Sequence, residues 1–163
     1  MPQVVLQFCA FPTWTDDLIK HFTQGPVGHV DVVTKSGELL GAQFRSGLGG
    51  QPSGVYIRPQ GYGEMKNRIQ VSVEVSELGA TRMWNFALAQ VGKPYDVEAI
   101  FGFIVGRDWQ DEGRWVCSEF GLAVMQKTGI FRNPPFVKHD LITPNALLYL
   151  VSTYGEVTEL PDD

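Results

Sequence analysis

The chain has 163 residues, 44% of them apolar, 19% charged and 12% aromatic, with a formal net charge of -5. Those figures fit one globular domain over residues 1–163 that buries about two-thirds of its unfolded surface, and they exclude a disordered chain. An acidic balance without a Lys/Arg stripe excludes nucleic acid as the main partner, and anionic membranes with it, because phosphate binding needs concentrated positive charge.

No apolar run is long enough to span a bilayer, and residues 1–8 lack the basic stretch and cleavage site of a secretory signal. The expected location is therefore the cytoplasm, where Cys9 and Cys117 stay as free thiols. Residues 4–11, β-branched and aromatic, predict a buried first strand with Cys9 in the core. Thr13 or Thr15 is placed to cap a short helix reaching Phe22, with Asp16 and Asp17 in its first turn and His21 on its solvent side. Gly25-Pro26-Val27-Gly28 breaks the chain and feeds a second strand over residues 29–33. Thr34-Lys35-Ser36-Gly37 is a turn, and residues 38–44 return as the third strand. If Thr34 pairs with Glu38 across a three-residue loop, Gln43 lies opposite His29 on the same face; a two-residue loop puts Phe44 there instead.

Residues 46–54 predict a glycine-rich loop and not a phosphate cradle, since no helix opens after it and no Lys-Ser/Thr follows. Residues 55–58 and 68–75 predict two more strands, the latter alternating strictly, so the sheet is expected to be antiparallel and half exposed. From Ser76 the period turns helical, with Leu78, Met83, Phe86, Ala87 and Val91 as the inward stripe and Gly92-Lys93-Pro94 as the stop. Tyr95-Asp96 opens a short apolar segment through Val105, and a polar loop carrying Trp109 leads to a helix expected over residues 117–127. Thr143-Pro144-Asn145 reads as an N-cap with proline in the first turn, opening a last helix through Val151, and the acidic tail from Glu156 is expected to fray.

Cys117 stands at the start of its helix, where unpaired backbone N–H groups and the positive end of the dipole favour a thiolate and can hold an oxyanion. Taken alone it fits equally a small, inert core residue. Cysteine catalysis also needs an imidazole and a group that fixes its tautomer. His29 and Gln43 are the candidates, with Asp31, on the same face two residues along the strand, as the rival orienter. Taken alone, His29 fits a hydrogen-bonded core histidine as well, and His139, in Lys138-His139-Asp140, is expected at the surface. No Cys-x-x-Cys or His-x-x-x-His spacing points to a metal, and no cofactor is expected.

The pieces Gly28-His29-Val30, Leu40-Gly41-Ala42-Gln43, Gly92-Lys93-Pro94-Tyr95-Asp96, Cys117-Ser118-Glu119 and Thr143-Pro144 follow one another in that order. Together they resemble the circularly permuted branch of the papain-like NlpC-type hydrolases, in which the histidine strand precedes the cysteine helix. The resemblance implies an α+β papain-like fold, an antiparallel sheet packed against the nucleophile-bearing helix, and acyl hydrolysis or transfer through a thioester on Cys117. It implies His29 as general base, Gln43 as the third residue and Tyr95 lining the substrate site, with Asp31 and Glu119 nearby. Glu119 opposes a thiolate unless it is turned away or paired, with Arg114 or Arg58 as candidate partners.

By analogy with that group the substrate is a peptide or amide, murein-type bonds included, reached through lysis or a phage particle. Two other classes keep the same fold. One is a non-catalytic binding or virion-assembly module. The other is a lipid acyltransferase or thioesterase related to the lecithin:retinol acyltransferases, for which Phe101, Phe103 and Trp109 offer an apolar groove.

Overall fold

Two-residue alternation builds strands and capped 3.6-residue stripes build helices, and both appear in the computed structural model, which describes residues 1–13, 25–96, 116–131 and 142–162. The helix expected before Phe22, His21, the segment with Phe101, Phe103, Trp109 and Arg114, and His139 lie outside those residues. Six strands, β1 (Gln3–Ala10), β2 (His29–Val33), β3 (Leu39–Gln43), β4 (Gly54–Arg58), β5 (Lys66–Glu74) and β6 (Glu156–Glu159), form one antiparallel sheet in the order β4-β3-β2-β1-β5-β6. Three α-helices are described: α1 (Glu77–Ala89), α2 (Cys117–Lys127) and α3 (Pro144–Ser152). The architecture is α+β.

The β2–β3 hairpin sets the register of the site. Thr34 N–H donates to the Glu38 carbonyl at 2.8 Å and Gly37 N–H to the Thr34 carbonyl at 3.0 Å, with Gly37 at φ 86°. The three-residue loop is thereby closed, with glycine at the position that demands positive φ. Val33 pairs with Leu39 and Val32 with Leu40, and in that register the Asp31 carboxylate lies over Gly41.

Alternate strand residues then go to different places. Leu6, Phe8, Val30, Val32, Leu40, Ala42, Val55 and Val71 share one face and bury against Met83, Phe120, Leu147 and Val151 of the helices. On the other face Cys9 and Leu39 pack with Phe11, Tyr62 and Met65, the last two contributed by the β4–β5 connection. That connection covers a row of buried polar groups, Gln7, His29, Asp31, Gln43 and Arg58.

The loop over residues 46–54 contains a short 3-10 turn, Leu48–Gly50. Two expectations are corrected. The inward stripe of α1 is Gly79, Ala80, Met83 and Ala87, while Leu78 is 58% and Val91 40% exposed. The reason is Gly79, which lies so close to the Thr128 carbonyl that no Cβ would fit, so the helix turns its glycine inward and Leu78 outward. The acidic tail is a strand: β6 is exposed along its length, yet Val157 pairs with Val71 and Leu160 N–H donates to the Arg68 carbonyl at 2.8 Å. Backbone bonds hold it where burial does not.

Among the described residues no helix is long and apolar enough to cross a membrane.

Candidate functional site

Cys117 is the first residue of α2, after an extended Val116 that supplies no capping oxygen. Glu119, at the third helical position, turns back to the Val116 N–H at 3.5 Å and serves the helix start. Arg58, one of its expected partners, donates instead to the carbonyls of Gly41 (3.2 Å), Pro52 (2.8 Å), Gly54 (3.3 Å) and Tyr56 (3.5 Å). Burial lowers the Arg58 pKa, against the opposing charges of Tyr62, Asp31 and Tyr56.

The first turn of α3 aligns the two halves of the site. Ser118 Oγ donates to the Ile142 carbonyl at 2.8 Å, which fastens the start of α2 to the segment leading into α3. Thr143 caps α3 by accepting from Ala146 N–H at 3.1 Å. Asn145, next but one, accepts from the Val27 N–H at 3.1 Å and donates to the Val27 carbonyl at 2.8 Å. Gly25 packs so tightly on Asn145 that a Cβ would collide with it. One short stretch therefore grips both the cysteine helix and the chain entering the histidine strand.

The Cys117 side chain lies close enough to His29 for its charge and hydrogen bonding to raise the imidazole's pKa. His29 Nε2 lies 3.0 Å from Asp31 Oδ2 and 2.9 Å from the Tyr62 hydroxyl. Tyr62 also donates to Asp31 Oδ2 at 2.9 Å. Phe11 stacks beside both rings, 5.3 Å from the imidazole and 5.7 Å from Tyr62. Cys117 and Asp31 are each 2% exposed and His29 4%, so their charges act on one another with little screening. Burial pulls the His29 pKa down, but the charges and hydrogen bonds of Asp31 and Cys117 outweigh it and hold the imidazole well above its ordinary value of 6.5. Burial first, then the charges of Asp31 and Cys9, push the Tyr62 phenol well above 10.0.

Asp31 reaches this position because it stands opposite a glycine. Its Oδ1 lies over Gly41 where a Cβ would have no room, and has no hydrogen-bond partner among the described residues. Gln43 is 2% exposed, and its Oε1 accepts from Arg45 N–H at 3.3 Å. Its Nε2 makes no well-formed hydrogen bond among the described residues, yet it lies near enough to Tyr62 to favour the phenolate. The structure thus joins His29 and Asp31 directly, sets Cys117 near the imidazole, and leaves Gln43 one hydroxyl away from it. Tyr95, also buried, packs 6.1 Å from Phe44, where Lys93 and Gly92 exchange backbone bonds with Val55 along β4. Tyr62 carries no signal in the sequence beyond a lone aromatic among glycines, Gln60-Gly61-Tyr62-Gly63. No group of three His, Cys, Asp or Glu side chains among the described residues is arranged to hold a metal ion.

Neither a family model nor a curated protein matches the sequence. The chain is similar in fold to the crystal structure of the metalloprotein yiiX from Escherichia coli O157:H7 (DUF1105), at a TM-score of 0.57 and 17% identity, over 98% of this chain and 96% of that one.

Proposed function

We propose that this chain is a cysteine hydrolase of the papain-like, circularly permuted type, cleaving peptide or amide bonds, murein-type bonds among them, through a thioester on Cys117. The observation that carries the reading is the buried imidazole of His29, paired with Asp31 at 3.0 Å, together with a buried cysteine at the start of a helix. Sγ of Cys117 adds to the substrate carbonyl carbon while its proton passes to Nδ1 of His29. Asp31 stabilises the imidazolium at Nε2, and the backbone N–H groups at the start of α2 are the natural donors to the oxyanion. The imidazolium returns the proton to the leaving amine, and the thioester is then hydrolysed by water activated by the same imidazole. Asp31 takes the orienting role here because it touches Nε2, with Gln43 behind it.

The test is the rate of iodoacetamide labelling at Cys117 as a function of pH, with Cys9→Ser in every variant so that one thiol is read. An activated pair labels rapidly at pH 6, and His29→Ala slows it by about tenfold or more there. Labelling that follows a free-thiol titration near about 8.5 and ignores His29 would overturn the reading in favour of a binding module.

A further inference from the structure

Three polar atoms meet in a triangle: Tyr62 Oη to His29 Nε2 at 2.9 Å, Tyr62 Oη to Asp31 Oδ2 at 2.9 Å, and Nε2 to Oδ2 at 3.0 Å. Tyr62 directs its only hydrogen at Asp31. The phenol oxygen then faces Nε2 with a lone pair, and the contact is attractive only if Nε2 carries a hydrogen shared between that oxygen and the carboxylate. The neutral imidazole is thereby held as the Nε2–H tautomer, with the Nδ1 lone pair left for the thiol.

We infer that Tyr62 is a positioning residue of the site, whose hydroxyl fixes the tautomer of His29 and, by sharing Asp31, limits the carboxylate's hold on the imidazolium. The inference rests on the hydrolase reading for its consequence in catalysis, but the hydrogen-bond arrangement itself is measurable without activity.

The connection that carries Tyr62 is built independently of that hydroxyl. Gln60 and Gln7 exchange side-chain amide bonds at 3.2 and 3.4 Å, and Gln70 donates to Gln7 at 2.8 Å, which staples the connection to β1 and β5. Arg58 lies 5.6 Å over the Tyr62 ring on one side and Phe11 5.7 Å from it on another. Gly49, at φ 60°, brings its backbone against Tyr62, Arg58 and Pro59. Tyr62→Phe therefore keeps the ring and removes one oxygen. The other groups around His29 stay in place: Asp31 on its own strand, Cys9 paired opposite it on β1, Gln43 at the end of β3, Cys117 on α2, with Arg45 over Phe11 and Arg58 beyond Tyr62.

The test is an NMR titration of the His29 ring, with long-range 15N spectra to read the tautomer, in the wild type, Tyr62→Phe, Asp31→Asn and the double variant. With Tyr62 gone, Asp31 turns wholly to His29, and the midpoint rises by about half a pH unit to one unit while Nδ1–H tautomer appears in the neutral form. In the Asp31→Asn background, Tyr62→Phe produces no such rise, because the shared carboxylate is absent. Incorporation of 3-fluorotyrosine, whose phenol is the stronger donor, leaves the fold untouched and moves the midpoint the other way, which keeps the test open if Tyr62→Phe does not fold. An unmoved or lowered midpoint in Tyr62→Phe with the tautomer unchanged, or an unmoved one with 3-fluorotyrosine, would overturn the inference. Iodoacetamide labelling of wild type against His29→Ala separates the failures: labelling indifferent to His29 sinks the hydrolase reading and leaves the midpoint result standing.

Discussion

The two faces of the sheet are made by the same strands and differ only in which alternate residues they present. Toward the helices stand Leu6, Phe8, Val30, Val32 and Leu40, closed over by Phe120, Leu122 and Met83. Toward the β4–β5 connection stand Gln7, His29, Asp31, Gln43 and Arg58, closed over by Tyr62 and Met65. Both faces exclude water. The first is specified by volume, since apolar groups of the right size fill it in several ways. The second is specified by hydrogen-bond partners, and a missing partner leaves a buried charge or dipole that nothing nearby can replace. Packing should therefore set the stability of this chain, and the polar face its pH dependence.

The largest expected effect lies on the helical face. Phe120→Ala empties a fully buried site and should cost about 3–5 kcal/mol in urea unfolding, while the His29 titration keeps its wild-type midpoint. A shifted midpoint would break the separation between the faces. Asn145→Ala tests the contact that crosses it: the Val27 N–H and carbonyl lose their partner, at roughly 1–3 kcal/mol each, and Cys117 labelling should slow because the histidine strand is no longer pinned. Wild-type labelling in that variant would show that the clamp is structural only.

Asp31→Asn sharpens the claim about pH. The His29 pKa is raised in the folded chain, so the stability it contributes is complete below the unfolded imidazole value of about 6.5 and is lost as pH rises through the folded value. Urea midpoints of wild type and Asp31→Asn should therefore differ most at mildly acidic pH, by about 1–2 kcal/mol, and converge on the alkaline side. A constant gap would mean that Asp31 acts through shape instead of charge. The smallest effect belongs to β6, whose side chains touch neither face: Val157→Lys, at a position 48% exposed, should change stability by no more than about 0.5 kcal/mol by the same measurement.

The chemistry of β2 and β3 was legible in the sequence because a tight turn fixes a register, and a register fixes which side chains share a face. The three-residue loop closed between Thr34 and Glu38 is the one the count starts from, and it puts the side chains of His29, Asp31 and Gln43 on one face. What the count does not contain is the space over Gly41 that lets the Asp31 carboxylate settle, and with it the choice between Asp31 and Gln43 as the neighbour of Nε2. Tyr62 was illegible for a related reason. Its connection has no periodicity, and its place is set by hydrogen bonds between the side-chain amides of Gln60 and Gln7, 53 residues apart. Leu78 misleads a hydrophobic stripe because the closest contact on α1 is made by a glycine, a residue such stripes ignore. β6 is missed because its stabilisation is in backbone pairing, which leaves no mark on an acidic and exposed sequence.

The grip of α3 on the site also dictates an order of events during synthesis. Val27 is held by a side chain 118 residues further along, and Ser118 by a carbonyl 24 residues beyond it. A chain emerging from the ribosome presents its imidazole early and its thiol late, and the contacts on Val27 and Ser118 that bring the two elements together wait for residues 142–145. A product truncated before Ile142 lacks the groups that fasten Val27 and Ser118.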